Sequence, residues 1–366
     1  MISSEIRLVH VITTIERGGA ENAVLALAQE QVRNGYKVVV VPLKGSLELT
    51  KEFLFAGVSI DTSLIEQSFL KQVFLFRKQY KGNAIFHAHL PRSELLLSLC
   101  KSQNRFFVTR HNAEQFYPSA PKIVSSFLSR YVTYRSESVI AISYAVLHFL
   151  LKNREISKKS QYSVIYYGYM RRNNNHLQQT YSFNKANRTL RIGTVSRLAP
   201  QKNLNLLIQL AILLKAKHHK FLIQIVGAGP DKLLLENKVK EFGLEKEIQF
   251  LGRKSDVMPF LKEQDVFVLT SNYEGFGLVL LEAMDAFLPI IAPRNSAIPE
   301  VLGKHHPGLF KSSDVNSLSK TLFYALQTPK TYEEILKIQS RQLDLFSLEK
   351  YFNSHHELYA NASMGK

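Results

Sequence analysis

Short apolar runs alternate with helix-length stretches along most of the chain. Residues 6–12, 36–42, 84–89, 106–112 and 139–143 are rich in Val, Ile and Phe and too short for core helices, so they read as buried strands; 58–61 adds a short one. The pattern restarts at 190–195 and continues through 221–227 and 265–270. Helical stretches such as 23–33 and 204–215 sit between successive strands, which predicts parallel, doubly wound α/β sheets. Residues 171–187 are polar and aperiodic and read as a linker. The chain is therefore expected to form two domains, 1–180 and 188–345, with helix-like sequence over 332–364.

Several strand ends carry candidate chemistry. After 265–270 comes Ser271-Asn272-Tyr273-Glu274-Gly275-Phe276-Gly277-Leu278, leading to Glu282-Ala283-Met284. Gly275 and Gly277 permit a tight turn, and a helix is expected from about Gly277, its free N–H groups and positive dipole end suited to a phosphate. Glu274 and Glu282 lie about two helical turns apart on roughly one face. Ionised carboxylates only accept hydrogen bonds and so suit vicinal hydroxyls, although surface helices also carry such pairs without function. Arg197 and Lys202 follow the strand at 190–195 and suit a diphosphate, one as a fork and one as a point charge. Gly18-Gly19-Ala20-Glu21 follows the first strand, and taken alone is a plain turn. His87 and His89 point the same way from one strand, but no third ligand is visible nearby, so a metal is not expected. His111 ends the strand at 106–112, at the carboxyl edge where open α/β sheets bind ligands.

Taken together these strings resemble glycosyltransferase family 4, the group 1 retaining transferases. Glu274 to Glu282 resembles its Glu-x7-Glu signature, 193–203 its Gly-x-x-x-Arg-Leu-x-x-x-Lys-Asn segment, and 225–230 its Ile-Val-Gly-x-Gly-Pro segment. Thr109-Arg110-His111, 139–143 and 162–168 resemble first-domain segments, with Tyr167 where asparagine is usual. The resemblance covers nearly the whole chain and is strongest over 190–303. It implies a GT-B fold, two Rossmann-like domains facing across a cleft, with a helix at 346–366 returning to the first domain. It also implies retaining, metal-independent transfer of a hexosyl group from a nucleotide-diphosphate donor, a UDP-sugar being the expected one, with no cofactor. By that resemblance His111, Arg197, Lys202 and Glu274 are catalytic. Gly19, Arg253, Gly275, Phe276, Gly277, Leu278 and Glu282 bind the donor, and Gly18 and Gly19 face the acceptor. Two departures stand out: Phe287 where glycine is common, and Asn295-Ser296-Ala297-Ile298 in place of a Gly-Gly pair. Both bear on sugar choice or on retained activity.

Composition narrows the setting. The single cysteine, Cys100, excludes an internal disulfide and fits a reducing compartment, where buried packing is its expected role. No signal-peptide pattern opens the sequence, and the longest uncharged apolar run, 138–151, is too short for a bilayer, so a cytoplasmic protein is expected. The formal charge is +17, and residues 1–180 hold 23 Lys/Arg against 12 Asp/Glu. Basic and apolar residues interleave over 119–134, which suits either an ordinary solvated helix or peripheral contact with an anionic membrane. The expected partners are thus a nucleotide-sugar and a glycan or lipid-linked acceptor of polysaccharide or lipopolysaccharide synthesis. No nucleic-acid motif is present. The alternatives are a degenerate GT-B protein that binds nucleotide-sugar without catalysis, and a GT-B epimerase.

Overall fold

The computed structural model describes residues 7–81, 84–100, 106–172 and 188–364. The expected linker lies, beyond Arg171 and Arg172, outside the described residues. The chain divides into two compact units, Met1–Met170 with Phe346–Lys366, and Arg171–Leu345.

The first unit holds a seven-stranded sheet of β1 (Arg7–Ile12), β2 (Lys37–Pro42), β3 (Ser59–Ile60), β4 (Ala84–His89), β5 (Phe106–Arg110), β6 (Ser138–Ala141) and β7 (Gln161–Val164). The strand order is β3-β2-β1-β4-β5-β6-β7, and every pairing is parallel. The second unit holds β8 (Leu190–Val195), β9 (Phe221–Val226), β10 (Ile248–Gly252), β11 (Val266–Val268), β12 (Ile290–Pro293) and β13 (Leu309–Phe310), ordered β10-β9-β8-β11-β12-β13 and again all parallel. Each order reverses once, between β1 and β4 and between β8 and β11. Those are the switch points where the loops after adjacent strands diverge and leave a crevice.

The strands are apolar because helices cover both faces of a parallel sheet. In the first sheet, Val9, Val11, Phe86, Ala88 and Val108 pack into one core, while Leu8, Ile12, Val38, Ile85 and Phe107 pack with Tyr359 into another. The helix Leu348–Met364 belongs to this second core and packs on the helix Gly19–Arg33. In the second unit β8, β9 and the helix Asn205–Ala216 share one core.

The expected helical stretch at 332–364 is two helices, Pro329–Leu345 and Leu348–Met364. Between them Phe346 and Ser347 leave the helix to pair with Tyr169, whose N–H donates to the Phe346 carbonyl at 2.8 Å. Gly168 makes the approach possible, since a Cβ there would stand 2.8 Å from Leu348 Cα. Helical periodicity does not register such a break, because its cause is a strand-like segment distant in sequence. Ser143 caps the helix Tyr144–Lys152 as expected, its hydroxyl accepting from Val146 N–H at 3.1 Å. Cys100 is buried in the first core, and burial pushes its thiol up to about 11.

Arg110, at the end of β5, is buried between two carboxylates. Its Nε lies 2.9 Å from Glu94 and its Nη1 3.4 Å from Glu155, with Phe116 stacked at 4.5 Å. Removing one member of a buried charge group strands the others, so Arg110→Met should cost about 3–5 kcal/mol in unfolding free energy. Chemical denaturation would measure it; a loss below about 1 kcal/mol, typical of exposed pairs, would contradict the buried triad.

Candidate functional site

In the second unit, two of the residues singled out from sequence, Lys202 and Glu274, come together in the loops after β8 and β11. β8 runs into Ser196-Arg197-Leu198, and this loop is clasped by the turn after β9. Ser196 N–H donates to the Val226 carbonyl at 2.9 Å and Leu198 N–H to the Ala228 carbonyl at 3.0 Å. The glycines of that turn are steric necessities: a Cβ on Gly227 would stand 1.8 Å from the Ser196 carbonyl oxygen, and one on Gly229 2.2 Å from that of Leu198. Arg197 is exposed on the loop, and among the described residues its guanidinium makes no hydrogen bond or ion pair. Lys202 ends a 3-10 turn, Pro200–Lys202, just before the helix Asn205–Ala216.

Lys202 and Glu274 meet. Nζ lies 2.7 Å from Glu274 Oε1, and the Ser271 hydroxyl donates to the same oxygen at 2.6 Å. Both side chains are largely buried. The backbones are tied as well: the Thr270 hydroxyl donates to the Lys202 carbonyl at 2.8 Å, Asn272 N–H to the Gln201 carbonyl at 2.8 Å, and Gln201 Nε2 to the Tyr273 carbonyl at 2.9 Å. Two strand-end loops are thus held as one rigid piece around a carboxylate and an ammonium. Gly277, at φ 90°, caps the helix Leu278–Asp285, leaving the first helical N–H groups beside that pair along the chain. Gly275 and Phe276 are buried.

The two departures from the family pattern have a shared explanation. Ser296 has φ 44° and Phe287 φ 56°, both in the left-handed region that glycine adopts without strain. The Ser296 hydroxyl accepts from Glu274 N–H at 2.8 Å, and Asn295 Nδ2 donates to the Ser271 carbonyl at 3.3 Å. The segment that lacks glycines therefore supports the Glu274 loop with side chains. Phe287 follows the end of the helix Leu278–Asp285, its N–H bonded to the Met284 carbonyl, and packs against the core of its own unit. Sequence reasoning missed Ser271 and Ser296 as parts of the site; the only signal was a hydroxyl three residues before Glu274.

Glu282 lies eight residues beyond Glu274. Burial pushes its carboxyl up to about 7, Arg172 pulling against this and Asp256 adding to it. Arg172 is itself paired to Asp256 at 2.9 Å. Arg253 lines a cavity of about 440 Å³ together with Lys254, Asp256 and Phe260.

In the first unit, Gly18 and Gly19 open the helix Gly19–Arg33 after β1. Gly19 has open space where a Cβ would sit, whereas a Cβ on Gly18 would stand 2.4 Å from the Glu21 carboxylate. Glu21 is buried and accepts from the Thr14 hydroxyl at 2.9 Å; burial pushes its carboxyl upward.

His111 belongs to a buried histidine cluster. Sequence showed no third partner for His87 and His89; the fold supplies His10, which pairs with His87 in the β1/β4 register. Ring nitrogens of the three lie within 4.8 Å of one another, close enough to hold a metal ion. All six of their nitrogens are, however, engaged in hydrogen bonds. His10 bonds Gln31 at 2.7 Å and His89 at 2.9 Å, and His89 bonds His111 at 3.1 Å. His87 bonds Tyr359 at 2.6 Å and Thr109 at 2.7 Å. The direction is set at one end. Gln31 Oε1 accepts, so His10 Nε2 donates to it, His89 Nε2 donates to His10 Nδ1, His111 Nε2 donates to His89 Nδ1, and the Tyr167 hydroxyl donates to His111 Nδ1. Burial disfavours charge on each ring, and both nitrogens of His111 are engaged. The signal in sequence was His10 itself, a polar residue inside an otherwise apolar strand.

Burial lowers His10 and His355 to about 4 and His111 to about 3, and drives His87 and His89 well below the ordinary value. The unfolded chain takes up protons near pH 6.5, while the folded chain does not until the lowered values are reached. Their contribution to stability is therefore complete above about pH 6.5 and declines as pH falls toward 4, by roughly 2 kcal/mol per histidine at pH 5. Ring nitrogen NMR should find His10, His87, His89 and His111 neutral at pH 5.5; protonation of any of them near pH 6.5 would contradict the network.

Comparison with known proteins agrees with both halves of this description. Residues 178–341 match the family model described as glycosyl transferases group 1, and residues 17–169 match that of glycosyltransferase family 4. N-acetyl-alpha-D-glucosaminyl L-malate synthase of Bacillus anthracis is 29% identical over 137 residues, 37% of this chain and 36% of that protein. Amylovoran biosynthesis glycosyltransferase AmsK of Erwinia amylovora is 30% identical over 142 residues, 36% of this chain and 35% of its own length. The chain thus matches little more than a third of the length of these curated relatives. The crystal structure of Anabaena Alr3699/HepE in complex with UDP and glucose has a similar fold, with TM-score 0.81 at 16% identity over 98% of this chain and 100% of that one.

Proposed function

We propose that the chain is a GT-B glycosyltransferase of family 4, a reading supported by family models that match each of its halves, and that it transfers a hexosyl group from a UDP-sugar to a glycan or lipid-linked acceptor in cell-surface polysaccharide synthesis. The proposed reaction proceeds with retention at the anomeric carbon and without a metal ion. The observation that carries the reading is the Lys202–Glu274 contact at 2.7 Å, which sets a cation and a carboxylate together at the switch point of the second sheet. The UDP complex of the Anabaena protein and the AmsK name support the donor and pathway class.

The chemical demand is electrostatic. The bond from the anomeric carbon to the diphosphate breaks as negative charge gathers on the leaving group and positive charge on the sugar. Exposed Arg197, Lys202 and the N–H groups at the start of the helix Leu278–Asp285 meet the first charge. Glu274 meets the sugar, and Glu282 the ribose hydroxyls. The Gly275–Leu278 backbone approaches the diphosphate, Arg253 lies by the base, and Gly18 and Gly19 lie on the acceptor side. The acceptor oxygen bonds to the anomeric carbon on the face the diphosphate leaves, and its proton passes to a leaving phosphate oxygen, so no enzyme nucleophile is required. His111 keeps its proposed catalytic role on the family resemblance alone.

Turnover with UDP-, GDP-, ADP- and dTDP-sugars, with and without EDTA, tests the whole reading, product anomers being read by NMR. One UDP-sugar should be consumed in EDTA with its configuration kept. Glu274→Ala and Arg197→Ala should each lower kcat by about 10²–10³-fold; near-normal turnover in both would remove the assignment.

Glu282 supplies a pH test. Its carboxyl accepts more strongly, and through both oxygens, from ribose hydroxyls when ionised, and burial pushes it up to about 7. UDP-glucose affinity should rise with pH and level off above 7, falling by up to about tenfold per pH unit below it. Calorimetric titration of Glu282→Gln should be weak and flat with pH; a flat profile in the unaltered protein would separate Glu282 from the donor.

A further inference from the structure

The helix Lys122–Arg135 is built inside out. Its buried face is Ser125, Ser129, Val132 and Thr133. Each of the three hydroxyls is hydrogen-bonded. Ser125 Oγ accepts from Tyr117 N–H at 2.9 Å, Ser129 Oγ donates to the Glu155 carbonyl at 2.8 Å, and Thr133 Oγ1 accepts from Ser157 N–H at 3.0 Å. The opposite face carries the large apolar groups. Ile123 is 86% exposed, Phe127 70% and Tyr134 57%, with Val124 and Tyr131 beside them. At about 100° per residue these side chains share an arc of roughly 100°. An ordinary surface helix turns such a stripe toward the core.

The charges on this helix are of one sign. The helix contains no Asp or Glu, while Lys122, Arg130 and Arg135 are exposed on it. Lys159 stands 6.0 Å from the Tyr134 ring centroid, extending the basic rim. Glu155, near the helix, is turned inward to Arg110, and Glu137 lies beyond the helix end. An apolar stripe with an aromatic centre and a basic border matches the boundary between acyl chains and anionic headgroups. At about 21 Å long, the helix is suited to lying in that plane.

We propose that the face of Ile123, Phe127, Tyr131 and Tyr134 docks this protein on an anionic lipid bilayer. The argument rests on exposure and charge and stands independently of the transferase reading. No helix among the described residues is long and apolar enough to cross a membrane, so the contact is peripheral.

The absence of tryptophan makes the test clean. Phe127→Trp places a single reporter in the stripe. Phe55→Trp, at a site 94% exposed on another helix of the same unit, is the control. Vesicles of phosphatidylcholine alone and of phosphatidylcholine with phosphatidylglycerol are the probes. The full chain should sediment with the anionic vesicles only, and salt should release it. Emission from position 127, but not 55, should shift to the blue and be quenched by brominated acyl chains. Phe127→Ser should weaken partitioning about tenfold or more, since burying one phenylalanine side chain is worth that much. Arg130→Gln with Arg135→Gln should weaken it on anionic vesicles without altering thermal stability. Failure to sediment, sedimentation indifferent to Phe127→Ser, or an unshifted reporter would overturn the proposal. A blue shift without vesicles, accompanied by dimers in the ultracentrifuge, would assign the face to a second copy and overturn it too.

Discussion

Every strand pairing in both sheets is parallel, and a parallel neighbour can be reached only by crossing over the sheet. That constraint arranges the rest. All strand-to-helix loops of a sheet emerge at one edge, and the order of strands decides which loops are adjacent. β8 and β11 are far apart in sequence but neighbours in space, which is why Lys202 can reach Glu274. The same reversal sets β1 beside β4 and brings His10 to His87.

The two switch points are furnished differently. In the second unit the loops carry cations, a carboxylate and a helix start with no side-chain cap, bound together through main-chain contacts. Such a site is pre-set for charge that arrives with a ligand, since its donors need little rearrangement. In the first unit the corresponding region is a chain of neutral imidazoles that satisfy one another. Burial forbids charge there, and hydrogen bonding removes the cost of burying so many polar atoms. Its effect is to fix ring orientation and tautomer up to His111.

The helix Lys122–Arg135 follows from the same accounting. Its inner face meets Arg110, Glu155 and loop N–H groups that need hydrogen-bond partners, so serine and threonine are the residues that fit. Apolar side chains are thereby left to the outside, where water alone would not favour them.

Much of this was legible in the sequence. Strand type and order of appearance follow from short β-branched runs, because a strand buried on both faces cannot afford polar residues, and the Glu274 turn, Arg197, Lys202 and Glu282 stood out because glycine and charge at strand ends are uncommon without a use. The break at Phe346–Ser347, the pairing of His10 with His87, the serine supports of Glu274 and the outward face of Ile123 and Phe127 were not legible. Each depends on a partner distant in the chain: Tyr169 for the break, β4 for His10, the loop at Asn295 for Glu274, and Glu155 for the inverted helix. Local pattern determines which elements form and which of their ends bear charge. Only tertiary structure decides which ends meet, because that choice belongs to strand order and register.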